Sequence, residues 1–104
     1  MLEIKQIQDL YKTQTVNLTD HYLNMLVKRG ISFSDVRSAI LSGIIIEQYP
    51  DDYPYPSCLI LGYAHNTPLH IVVGFGNDKL WLITTYKPDV DKWEDDFITR
   101  KAVK

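Results

Sequence analysis

Three apolar segments of eight residues, close together in the second half of the chain, constrain the fold most. They are 57–64 (SCLILGYA), 69–76 (LHIVVGFG) and 80–87 (LWLITTYK), rich in β-branched and aromatic residues, and they predict strands. The links between them are centred on Asn66-Thr67 and Asn77-Asp78. Such links are too short for the crossover that parallel strands require, but they suit hairpin turns. The sequence therefore predicts an antiparallel meander.

A fourth strand is predicted before the meander, over residues 44–49. Three prolines in the following segment, 50–56, remove backbone donors and exclude regular structure there. Tyrosines 49, 53 and 55 surround this proline loop, and two interpretations of them stay open. They either stack on bases or anchor a partner protein, or they cover the edge of the sheet.

Helices are predicted upstream of the sheet, where apolar residues recur at helical spacing. The first spans 3–12. The second spans 20–29, with Asn17 or Thr19 as its N-cap and Gly30 at its end. The third spans 33–42, and Ser32 with Asp35 resembles a capping box.

This order predicts an α+β fold, with N-terminal helices packed on one face of a small four-stranded antiparallel sheet. We expect a single domain over residues 1–104. Its parts are an N-terminal helix or extension (1–17), helices (18–43), the antiparallel sheet (44–87) and a C-terminal tail (88–104).

A two-residue turn at Asn77-Asp78 predicts the register of the last hairpin. Gly74 then lies opposite Trp81, Val72 opposite Ile83, and His70 opposite Thr85. The other face is almost wholly apolar and should meet the helices, whereas the face with His70 should be partly open. Tyr86 points away from His70 in a regular strand, although a bulge before Pro88 would re-aim it. The apolar face comprises Leu69, Ile71, Val73, Phe75, Leu80 and Leu82.

Composition limits the classes of function. The single cysteine, Cys58, excludes an internal disulfide, and the spacing of the three histidines matches no metal-binding pattern, so no metal and no cofactor are expected. No apolar run reaches the roughly 18–20 residues that span a bilayer, and no signal-peptide core is present, so we expect a cytoplasmic protein without membrane contact. The net charge of −2 shows no basic excess, so any site for an anion must be local.

Two histidines are candidate functional residues. His21 shares one helix face with Asn24, Lys28 and Arg29, which is either a solvated face or part of a phosphate-binding groove. His70 lies within an apolar strand and is either a core residue held by one hydrogen bond or a proton carrier.

Several phrases together resemble a known bacterial family. They are His21 with Arg29-Gly30-Ile31-Ser32, YPDDYPYPSCLILG at 49–62, PLHIVVG at 68–74, ITTYKPDVDKW at 83–93 and DFITRK at 96–101. The family is a domain of unknown function often encoded beside YgiT-type (MqsA-like) zinc-finger proteins, and it is regarded as part of the RelE/ParE/MqsR-like toxin superfamily.

The resemblance implies a RelE/ParE-like fold and the role of toxin in a type II toxin–antitoxin pair. Active members of the superfamily are metal-independent endoribonucleases that align an RNA 2′-hydroxyl on the adjacent phosphate. The matching polar positions here are His21, Arg29, His70, Thr85, Tyr86, Trp93 and Arg100.

Among these positions we predict His70, Tyr86 and Arg100 as catalytic residues. His21, Arg29 and Lys87 are predicted to bind the phosphates of the nucleic acid. Tyr86 is a poor acid unless Lys87 or Arg100 lowers its pKa. The alternative is a non-catalytic interaction module on the same fold that binds a zinc-finger antitoxin-like protein from a neighbouring gene. The absence of a basic excess favours this alternative, whereas the histidine, tyrosine and arginine residues favour the ribonuclease.

Overall fold

A computed structural model describes residues 1–102 of the chain; Val103 and Lys104, the last two residues of the predicted tail, lie outside the described residues. Three helices and five strands are present in this range. They are α1 (Ile4–Lys12), β1 (Val16–Asn17), α2 (Asp20–Arg29), α3 (Phe33–Leu41), β2 (Ile44–Tyr49), β3 (Ser57–Ala64), β4 (Thr67–Gly76) and β5 (Lys79–Tyr86).

The predicted helix ends are confirmed by their capping interactions. The hydroxyl of Thr19 accepts a hydrogen bond from the backbone N–H of Tyr22 at 3.1 Å, so Thr19 and not Asn17 caps α2. Gly30 ends that helix with a positive φ of 66°. Ser32 and Asp35 form the complete capping box of α3, with both hydrogen bonds at 3.0 Å.

The four predicted strands, β2 to β5, pair antiparallel as expected, but a fifth strand makes the sheet mixed, so the prediction of a four-stranded, wholly antiparallel sheet is wrong. The strand order is β1-β5-β4-β3-β2, and the additional strand, β1, runs parallel to β5. Only two residues form this strand, which is too short for an alternating pattern to be visible in the sequence. It is held by backbone pairing, including a 3.0 Å hydrogen bond from Leu80 N–H to the Thr15 carbonyl.

The register of the β4–β5 hairpin is as predicted near its turn and wrong further away. Gly74 lies opposite Trp81, as predicted, but the register then shifts between Val72 and Val73. An extra residue in β5, Ile83, forms a β-bulge, so His70 lies opposite Tyr86 instead of Thr85. The β3–β4 turn also differs by one residue, since its two positive-φ residues are His65 and Asn66.

One hydrophobic core lies between the helices and the face of the sheet that we call the inner face. The predicted core residues Ile71, Val73, Leu80 and Leu82 are all buried in it, and Ile7 of α1 joins them. Helix α3 lies directly on β3, because a Cβ built at Gly62 would stand 1.8 Å from the carbonyl oxygen of Ala39.

The opposite face, which we call the outer face, carries His70 and is covered where we predicted it to be partly open. Residues 92–101 form a small hairpin, which we call the C-terminal hairpin. Its two sides are joined by hydrogen bonds from Glu94 N–H to Thr99 at 2.8 Å and from Lys101 N–H to Lys92 at 2.9 Å. Trp93 of this hairpin packs on His70, with ring centroids 4.4 Å apart. The sequence of this segment has neither helical nor strand periodicity, so its position was not predictable from pattern.

The proline loop covers the other end of the outer face. Tyr55 stacks on Trp81 with ring centroids 5.6 Å apart, which agrees with the interpretation that loop tyrosines cover the sheet. Tyr53 is 96% exposed and covers nothing. The covering interpretation thus holds for Tyr55, whereas contact with bases or with a partner stays a prediction for Tyr53.

Candidate functional site

His70 is the centre of the candidate site, on the middle strand of the sheet. Its side chain is fully buried, and both ring nitrogens have partners. Nε2 lies 2.7 Å from the carbonyl oxygen of Phe97, and Nδ1 lies 3.3 Å from the hydroxyl of Tyr86. Because a carbonyl only accepts, Nε2 carries the hydrogen and the Tyr86 hydroxyl donates to Nδ1. Burial lowers the pKa of His70 below its ordinary value, so the neutral ring is favoured.

Two β-bulges place the polar partners on the same face as His70. The bulge at Ile83 turns Tyr86 to the outer face, and a second register shift between Ile45 and Glu47 does the same for Glu47. Without these shifts, alternation along the strands would direct Thr85 and Ile46 to those places. Bulges commonly re-aim side chains at functional sites.

Tyr86 packs edge-on against His70, with ring centroids 5.3 Å apart. Burial raises the pKa of Tyr86, and the opposing charges of Arg100 and Arg29 do not overcome this effect. The condition that we set for Tyr86 as an acid, a pKa lowered by nearby cations, is therefore not met in this arrangement. Its hydroxyl instead donates to Nδ1 of the neutral His70 ring.

Arg100 joins the site through the indole of Trp93. Its guanidinium lies 4.6 Å from the centroid of that ring, and His70 contacts the same ring. The guanidinium also forms a two-bond salt bridge to Glu47, with Nε–Oε2 and Nη2–Oε1 distances of 2.9 Å. The hydroxyl of Tyr49 donates to the same carboxylate. These bonds lower the pKa of Glu47, so the carboxylate is ionised.

The structure thus brings together the three predicted catalytic residues, Arg100, His70 and Tyr86, with the indole of Trp93 between Arg100 and His70. The sequence did not predict Glu47 or the Phe97 carbonyl as part of this cluster. An acidic residue within a strand that begins with three isoleucines was a weak signal for Glu47. The Phe97 carbonyl gave no signal in the sequence, because every residue has a backbone carbonyl.

The predicted phosphate-binding residues are brought together only in part. His21 and Arg29 line one cleft of about 220 Å³ along α2, with Asn24, Met25 and Lys28. Arg29 is partly engaged there, because its Nη1 donates to the Thr85 carbonyl at 2.7 Å.

Lys87 lines a different cavity, of about 210 Å³, together with Asp35 and His65. Within residues 1–102, the predicted set of three is therefore divided between two places. Thr85, a matching position in the resemblance, is also apart from this set, since its hydroxyl faces inward and bonds the buried Tyr22 hydroxyl at 2.7 Å.

A third feature is an open groove of about 420 Å³ in the helical layer, which we call the α1–α3 groove. Leu82 lies at its base, and the exposed Phe33 and Leu18 lie along it, at 52% and 37% exposure. Tyr11 and Arg37 supply polar groups at its margin. The groove exposes more apolar surface than either of the other two cavities.

Comparison with models of protein families identifies the family of this chain. The model of a domain of unknown function, DUF4258, matches residues 18–87. The chain belongs to the DUF4258 family. No curated protein and no solved structure matches it. The DUF4258 match extends from the loop before α2 to the residue after β5, so it contains His21, Arg29, His70, Tyr86 and Lys87, whereas the C-terminal hairpin lies beyond it.

The described part of this DUF4258 protein contains no group of three or more histidine, cysteine, aspartate or glutamate side chains arranged to hold a metal ion. Among residues 1–102 no helix has the length and apolar character needed to cross a membrane.

Proposed function

We propose that this DUF4258 protein is the toxin of a type II toxin–antitoxin pair and acts as a metal-independent endoribonuclease. The observation that carries the proposal is the convergence of His70, Tyr86 and Arg100, from β4, β5 and the C-terminal hairpin, on one cluster. The resemblance to the RelE/ParE/MqsR-like superfamily points to the same three residues. The proposal also includes a zinc-finger antitoxin gene beside this one and membership of the RelE/ParE/MqsR-like superfamily.

Cleavage through a 2′-hydroxyl needs proton transfer and stabilisation of charge on the phosphate. His70 supplies the proton carrier: once its ring takes up a second proton at Nδ1, the imidazolium gives its Nε2 hydrogen to the leaving 5′-oxygen, while the proton of the attacking 2′-hydroxyl passes to solvent water. Tyr86 acts as a positioning residue, because its hydroxyl holds Nδ1. Arg100 supplies two parallel N–H donors, the geometry that binds a phosphate well.

Single-turnover cleavage of a labelled RNA by the purified protein, free of any partner, tests the proposal. General acid–base groups contribute about 10²–10⁴-fold, so His70→Ala should lower the rate at least about 100-fold. His65→Ala, a change at an exposed histidine, is the matched control and should cleave at the wild-type rate. EDTA should have no effect.

The proposal is wrong if the protein cleaves no RNA with or without ribosomes. It is equally wrong if His70→Ala and Arg100→Ala both cleave at the wild-type rate.

A second function, a non-catalytic module that binds a zinc-finger antitoxin-like partner, is supported by different observations. His70 is fully buried, and Arg100 is already paired with Glu47. The α1–α3 groove meanwhile offers exposed apolar side chains suited to a protein partner.

Co-expression with the neighbouring gene product followed by size exclusion tests this second function. Phe33→Asp should prevent co-elution if the groove is the interface, whereas Tyr53→Ser should do so if the proline loop is. Independent elution of the two wild-type proteins at micromolar concentration contradicts it.

A further inference from the structure

Three contacts hold the C-terminal hairpin over the candidate site. Two involve His70 directly: the 2.7 Å hydrogen bond to the Phe97 carbonyl and the packing of Trp93 on the imidazole. The third is the salt bridge between Arg100 and Glu47, which ties the hairpin to β2. While these contacts persist, Nε2 of His70 is inaccessible to any ligand.

The salt bridge is the contact that a ligand can reach. The side chains of Arg100 and Glu47 are 60% and 24% exposed. Ion pairs this exposed contribute little to stability, because water screens both charges. A phosphodiester presents two anionic oxygens in much the same geometry as a carboxylate, so it can replace Glu47 on the guanidinium.

The charge of the covering segment opposes RNA while the segment is in place. Residues 89–96 carry five acidic side chains against the single lysine Lys92, and all five are exposed. The repulsion between these carboxylates and a polyanion opposes RNA on the outer face of the sheet while the segment covers that face, so RNA at His70 and the closed hairpin exclude each other. The five acidic residues are Asp89, Asp91, Glu94, Asp95 and Asp96.

We propose that the C-terminal hairpin is a gate over His70, and that an RNA phosphate opens it by taking Arg100 from Glu47. The identity of the ligand as RNA rests on the proposed function. In this proposal Glu47 is a positioning residue that stabilises the closed form. Arg100 has two roles: it pairs with Glu47 when the hairpin is closed, and it binds the phosphate when the hairpin is open.

The exchange of the His70 Nε2 hydrogen with water, followed by NMR, reports opening without any need for catalysis. In the closed form this hydrogen is buried and bonded, so it should exchange slowly. Glu47→Gln should accelerate its exchange about two- to fivefold, the range expected for loss of an exposed ion pair. Glu94→Gln, a matched change on the hairpin itself, should leave exchange unchanged. Arg100→Gln should reproduce the acceleration from the other side of the salt bridge.

A 2′-O-methyl RNA binds but cannot be cleaved through a 2′-hydroxyl. Its addition should accelerate exchange in the wild type, whereas the exchange of Arg100→Gln, already faster, should not increase any more. Cleavage of unmodified RNA should rise in Glu47→Gln and fall in Arg100→Gln, because only the former keeps the phosphate ligand.

The gate is wrong if Glu47→Gln and Arg100→Gln both exchange like Glu94→Gln, or if RNA leaves exchange in the wild type unchanged. Opening by RNA without any cleavage would support the gate and overturn the proposed ribonuclease activity.

Discussion

Acidification from pH 7.5 to pH 5 should destabilise the folded protein through His70. Burial lowers the pKa of this histidine in the folded state below its ordinary value near 6.5. The unfolded chain therefore binds a proton below about pH 6.5 that the folded protein does not bind. Above that pH, His70 does not reduce the free energy of unfolding. Below it, the free energy of unfolding falls as the pH decreases toward the pKa of His70 in the folded state.

The size and the range of this effect follow from the contacts of two groups. One proton limits the slope to about 1.4 kcal/mol per pH unit. Arg100 lowers the pKa of Glu47 from 4.5, so the contribution of that salt bridge persists above about pH 4.5 and is lost only at lower pH. The two effects thus fall in separate ranges, and the decrease between pH 6.5 and pH 5 is assigned to His70.

Urea unfolding at half-unit intervals of pH measures this dependence. His70→Gln should remove the decrease between pH 6.5 and pH 5, whereas His65→Gln, at an exposed position, should retain it. Equal slopes for the wild type and His70→Gln would refute the reasoning, because the proton uptake would then arise elsewhere.

Three further changes test the packing of the core, all by urea unfolding. Leu82→Ala should cost about 2–5 kcal/mol, since the side chain is 4% exposed, and a loss below about 1 kcal/mol would contradict its position on the inner face. Gly62→Ala should cost about 3 kcal/mol, because the added Cβ meets the backbone of Ala39, and a neutral effect would contradict that close approach. Tyr22→Phe should cost about 1–3 kcal/mol, because it leaves the buried Thr85 hydroxyl without its hydrogen-bond partner. Adding Thr85→Val to this variant should recover part of the loss. An unchanged stability in Tyr22→Phe would contradict the hydrogen bond between the two hydroxyls.

Local signals in the sequence were sufficient to predict most of the secondary structure. Thr19, Gly30 and the Ser32–Asp35 pair each act within a few residues of themselves, so the ends of α2 and α3 were predictable. The turn at Asn77-Asp78 likewise determined the pairing of Gly74 with Trp81. These features depend on contacts between neighbours in the chain.

The features that could not be predicted depend on distant contacts. The bulge at Ile83 leaves no mark in a run of strand-forming residues, yet it decides that Tyr86 and not Thr85 meets His70. The closure of the site by Phe97 uses a backbone carbonyl, which every residue has. The sequence, with its family resemblance, therefore pointed to His70, Tyr86 and Arg100, but not to Glu47, to the register of the site or to its cover.

The chemical ends of the RNA products test the central claim most directly. Cleavage through the 2′-hydroxyl leaves a 2′,3′-cyclic phosphate on one product and a 5′-hydroxyl on the other, and it is blocked by a single 2′-deoxy substitution at the cleaved position. In the presence of EDTA, mass spectrometry of a short RNA treated with the wild-type protein should show these two product ends, and the 2′-deoxy RNA should remain intact. His70→Ala should yield neither product in the same time. Products with a 3′-hydroxyl and a 5′-phosphate, or cleavage of the 2′-deoxy RNA at the same position, would contradict the account.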